Sequence, residues 1–113
     1  MSLIDDMADV SGAGGHRRSQ LYAVPEAADE LRLYIALCIT GALEWNLHSF
    51  MKRRLEPKYG VTLKIRQIRN WIALDDEANV LWRAYRHHED TENDIVLKWV
   101  KLAQDEERRA AEG

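Results

Sequence analysis

A chain of 113 residues has the length of one domain. Its 46% hydrophobic and 31% charged residues exclude a disordered polymer and leave room for a small core. A net charge of -3 excludes bulk attraction to polyanions, so any nucleic-acid binding has to come from local charge.

Residues 1–20 are rich in Gly, Ser, Ala and Asp and are expected to form a flexible arm, with a small basic tip at His16, Arg17 and Arg18. The terminal Met1-Ser2-Leu3 and Glu112-Gly113 resemble vector-derived residues. Residues 21–113 are expected to fold as a helical bundle domain. Its first helix should start at Pro25, because proline suits the first helical position. Leu31, Tyr34, Ile35, Cys38 and Ile39 recur at helical spacing, and Leu33, Leu37, Leu43 and Leu47 fill another face. That pattern predicts one long, central helix, stopped by Pro57 and Gly60. Its apolar surplus suggests a homodimer.

A second helix is expected from about Thr62 to Leu74, with Ile65, Ile68 and Ile72 inward and Arg66, Gln67 and Asn70 outward. Asp75, Asp76 and Glu77 mark a break and an acidic first turn. The third helix carries Ala78, Leu81, Trp82 and Tyr85 as its stripe, and residues 87–93 read as a loop. Thr91 and Asp94 resemble a capping box opening the last helix. That helix buries Ile95, Trp99, Leu102 and Ala103, and its charged tail from Asp105 is expected to fray. No segment alternates with a period of two. The fold class is therefore all-α, a single antiparallel bundle of about four helices.

Charge is segregated along the chain. Lys52 to Arg69 holds seven cations and one anion, and Asp75 to Asp94 holds seven anions and two cations. Such a layout suits RNA or DNA, another protein, or a second copy of the chain. The single cysteine, Cys38, allows no internal disulfide and no thiolate cluster, so a reducing, cytoplasmic setting is expected. The apolar stretch Leu33 to Leu43 is short of the roughly 20 residues that span a bilayer, and no membrane partner is expected. His87, His88, Glu89 and Asp90 cluster, but neighbours in a polar loop rarely converge on zinc, so neither metal nor cofactor is expected.

Lys58 to Thr62 followed by Ile68 to Ile72 resembles the turn and recognition helix of phage and transposase helix-turn-helix domains. The resemblance implies Arg66, Gln67 and Asn70 at base edges and Lys58 and Lys64 at phosphates. Arg83 and His88, with four residues between them, resemble the Arg-x4–6-His motif of the HEPN superfamily of helical nucleases and toxin components. Glu44, a lone carboxylate in the apolar first helix, adds to that resemblance. It implies a dimeric, metal-independent RNase with His88 as general acid or base, Arg83 stabilising phosphate charge, and Glu44 orienting one of them. A second placement puts Leu74 where the histidine stands and leaves the fold without the chemistry. Trp45 and Trp71 fall off the main stripes and are candidate anchors of a subunit interface. With no convincing catalytic cluster, the expected class is a non-catalytic binding or assembly module. Residues 52–69 are its candidate nucleic-acid surface.

Overall fold

A computed structural model describes Leu21 and residues 24–112. The described residues are helical, with no strand among them. There are five helices rather than four. Helix α1 is Pro25–Ile39. Helix α2 is continuous but irregular, made of Leu47–Phe50, a π-helical segment Met51–Leu55 and a last turn Glu56–Tyr59. Helices α3, α4 and α5 are Ile65–Leu74, Asp76–His87 and Asp94–Glu112.

Helix α1 begins at Pro25 as its sequence demands, and the Val24 carbonyl accepts from the N–H groups of Ala27 and Ala28. It ends far earlier than the apolar periodicity predicts. Gly41 takes φ +85°, a left-handed conformation that terminates the helix, and the N–H groups of Ala42 and Leu43 turn back to the Leu37 carbonyl. Side chains then fix the loop. The Tyr34 hydroxyl donates to the Glu44 carbonyl at 2.9 Å and accepts from the Asn46 N–H. Asn46 in turn caps α2, its Oδ1 accepting from the Ser49 N–H at 3.0 Å. A methyl group at position 41 would meet nothing within 4 Å, so only backbone strain opposes it. Gly41→Ala is expected to cost about 1 kcal/mol, read as a lowered urea midpoint with unchanged slope.

Pro57 does not stop α2. It lies at the start of the final turn, just after the π-helical segment, and the helix ends at Gly60 with φ +66°. Val61 and Leu63 are buried in the short linker, where the Leu63 N–H reaches the Met51 sulfur at 3.1 Å.

Helix α1 is central, packed against α4, α5 and the π-helical part of α2. Its apolar surplus is absorbed by these partners within one chain. Ala27, Leu31, Ile35 and Ala36 are fully buried. The remaining core comes from Leu21, Leu55, Ile68, Trp71, Ala78, Leu81 and Ala103. One carboxylate is enclosed with them. Glu30, 6% exposed, accepts from Arg54 at 2.6 Å and from Lys58 and Tyr59, each at 3.2 Å, tying α1 to α2. Burial pushes its pKa up, but the bonds and charges of Arg54 and Lys58 outweigh burial and hold it below the ordinary value.

The α3–α4 break falls at Asp75, as the acidic run predicts. Asp75 Oδ2 caps α4 through the Ala78 N–H at 2.9 Å. Both its oxygens also take the Arg32 guanidinium, at 2.8 and 3.0 Å. Helix α5 is opened by Asn93, whose Oδ1 accepts from the Ile95 N–H at 2.8 Å, and not by Thr91. Asn93 sits one residue before the helix, within reach of that donor. On α5 the buried residues are Val96, Trp99 and Ala103, while Leu102 is exposed. The charged tail stays helical to Glu112, and Glu107 accepts from the Thr40 hydroxyl at 2.8 Å.

Candidate functional site

Three clefts among the described residues differ in charge. One, of about 550 Å³, brings Arg53, Arg54 and Lys58 together with Glu44 and Glu106 beside Tyr34 and Phe50. Two of its cations are already bonded to Glu30. A second, of about 650 Å³, sets Asp29, Asp75, Asp76 and Glu77 against Arg32 and Lys98 and is acidic. The third, of about 480 Å³, is lined by Trp45, Arg69, Ile72, Ala73, Asn79, Trp82 and Arg86. Two guanidinium groups enter that lining and no carboxylate does.

Helical spacing builds the third cleft. Arg69, Ile72 and Ala73 share one face of α3, and Asn79, Trp82 and Arg86 share the facing side of α4. The two helices pack on each other. Trp45 arrives from the α1–α2 loop and is held by aromatic neighbours, its ring 5.5 Å from Tyr85 at 26° and 5.7 Å from Tyr34. Trp82 is half-buried, and its ring contact is perpendicular, to His87 at 5.3 Å. No ring stacks on it among the described residues. Asn79 Oδ1 is occupied by Arg83 Nε at 3.0 Å, which leaves the Asn79 amide hydrogens as donors. Arg69 and Arg86 are exposed and form no ion pair among the described residues.

The residues named from sequence are scattered across other surfaces. Arg83 is held by Asn79, by Glu89 at 3.3 Å and by Asp90 at 3.9 Å. His88 is exposed and takes φ +57° at the end of α4. Glu44 is exposed in the α1–α2 loop. Among the described residues no hydrogen bond or ion pair joins Glu44, Arg83 and His88. Lys58 is committed to Glu30, and the Gln67 side chain to the Lys64 N–H at 2.8 Å, where it caps α3. Lys64, Arg66 and Asn70 are exposed. Trp71 is no surface anchor. It is fully enclosed, because α3 turns it inward beside Ile68 and Ile72 and Arg32 lies over its ring at 5.2 Å.

Burial pushes the Cys38 thiol up to about 11, against a smaller opposing effect of a hydrogen bond with Tyr34, so it is no nucleophile at neutral pH. Among the described residues no three His, Cys, Asp or Glu side chains converge to hold a metal ion. No described helix is long and apolar enough to cross a membrane. No family model, curated protein or solved structure matches the chain. The geometry alone carries the functional argument.

Reading the sequence missed Arg69, Asn79, Trp82 and Arg86 as one site. Their spacing was visible, at i, i+3 and i+4 on α3 and at i, i+3 and i+7 on α4. The arrival of Trp45 between the two helices was not, since it depends on the loop that follows Gly41.

Proposed function

We propose that this chain is a non-catalytic nucleic-acid-binding module whose contact surface is the outer side of α3. One observation carries the reading. From Gly60 to Leu74 the chain holds three cations, Lys64, Arg66 and Arg69, and no carboxylate. All three are exposed, and none forms an ion pair among the described residues. Elsewhere cations are paired, as Arg32 is with Asp75 and Arg54 with Glu30. Three unpaired cations beside exposed Asn70 suit a row of phosphates, although the chain as a whole is acidic.

Affinity for a labelled oligonucleotide, read by fluorescence anisotropy, is expected to fall steeply between low and moderate salt. Lys64→Glu and Arg66→Glu should each weaken binding of all sequences alike. Each should also lower the salt slope by about 0.7–0.9, the signature of one lost phosphate contact. Binding that is insensitive to both substitutions would remove this surface as the contact.

A further inference from the structure

The cleft between α3 and α4 adjoins that cationic row, since Arg69 belongs to both. We infer that it is a pocket for one unpaired nucleobase of a single-stranded nucleic acid, stacked on Trp82 and flanked by phosphates on Arg69 and Arg86; this rests on the nucleic-acid reading above. Four features point to that ligand. The cleft pairs aromatic walls with cations and contains no carboxylate, which is the chemistry of a flat aromatic group joined to an anion. Its size, about 480 Å³, lies within the roughly 300–1,000 Å³ of small-molecule sites, enough to admit a base. Trp82 has no stacked partner among the described residues, whereas Trp45 is occupied by Tyr85. Trp82 is therefore the platform and Trp45 the wall. The Asn79 amide hydrogens, left free by the bond from Arg83, can donate to a carbonyl or ring nitrogen on the base edge.

A base inside a duplex is stacked above and below and cannot enter a recess between helices without being flipped out, which costs a few kcal/mol. Single strands present such bases at no unpairing cost. The pocket therefore predicts a preference for single strands that the cationic row by itself would not produce. The other two clefts lack this combination, one being acidic and the other holding both signs of charge.

The test uses a labelled short oligothymidine and a duplex of matched length against the whole chain. The variants Trp82→Ala and Trp82→Phe are compared with Arg66→Glu, their folding checked by circular dichroism. The inference expects tighter binding of the single strand, with its own quenching of tryptophan fluorescence. Trp82→Ala should weaken single-strand binding about 10-fold or more, with duplex binding and the salt slope unchanged. Trp82→Phe, which keeps a ring, should retain most of the affinity even if the alanine variant folds poorly. Full single-strand affinity in folded Trp82→Ala, with loss in Arg66→Glu, overturns the pocket and leaves the nucleic-acid reading standing. Absence of binding to either nucleic acid by the unsubstituted chain overturns both.

Discussion

Asp75→Ala is expected to be among the most damaging single substitutions, costing about 3–5 kcal/mol, because it strands a buried guanidinium and uncaps a helix at once. The Asp75 side chain is 11% exposed and that of Arg32 18%, so water cannot replace the lost partner fully. Domains of this size are stable by about 5–15 kcal/mol, and a loss of this magnitude should lower the thermal midpoint by roughly 15 °C or more. Asp75→Asn retains an oxygen for the Ala78 N–H while removing the charge, so it should fall between wild type and alanine. Equal melting of alanine and wild type would show that the Arg32 contact contributes nothing. Acid should act on the same bond. Burial raises the pKa of Asp75, but the hydrogen bonds from Arg32 and Ala78 and the charge of Arg32 more than offset it, and the folded value lies below the ordinary one. The stability it contributes is therefore present above the unfolded pKa of about 3.9 and is lost as pH falls through the lower folded value. Glu30 shifts in the same direction and adds to this acid sensitivity.

Trp71→Ala should cost about 3–5 kcal/mol by loss of buried area and the cavity left behind, read in urea melts. Trp71 is fully buried, and it also supports Arg32 from below its guanidinium plane. The two substitutions therefore share a partner. Their double mutant should be less destabilised than the sum of the singles, because Arg32 can lose its fixed position only once. Strict additivity would mean that the ring and the carboxylate act on the fold independently.

The parts of this fold that were legible from sequence are those with a clean period and an uninterrupted partner face. Helix α3 shows its inward face through Ile68 and Ile72, and the acidic run at Asp75 announced both a break and a cap. The end of α1 was not legible. Leu43 and Leu47 continue the apolar rhythm of Leu33 and Leu37, so periodicity alone could not reveal that Gly41 adopts a left-handed conformation. The contact that fixes the break, from the Tyr34 hydroxyl to the backbone at Glu44 and Asn46, joins groups ten and twelve residues apart. Glu44 thereby leaves the helix on which its resemblance to a catalytic carboxylate depended. Trp71 was misplaced for a different reason. A stripe of isoleucines on a short helix says which face is inward, but not how wide that face is, and α3 is enclosed broadly enough to take in its neighbour. The cleft was hidden because three separate segments meet there, and only two of them carry a local pattern.

The π-helical segment Met51–Leu55 sets a limit of its own on this chain. A wide turn of this kind amounts to one residue spliced into an otherwise regular helix. Each residue of an α-helix rotates the next by about 100°, so the splice decides which way everything after it faces. Leu47 and Phe50 lie before it and Leu55 within its far end, and all three are buried on the same core. Arg54 and Lys58 then reach Glu30 from the correct side. The exposed Lys52 and Arg53 can change identity at little cost, yet deleting either would turn one half of the helix away from the core. In this stretch the number of residues is under tighter constraint than their kind.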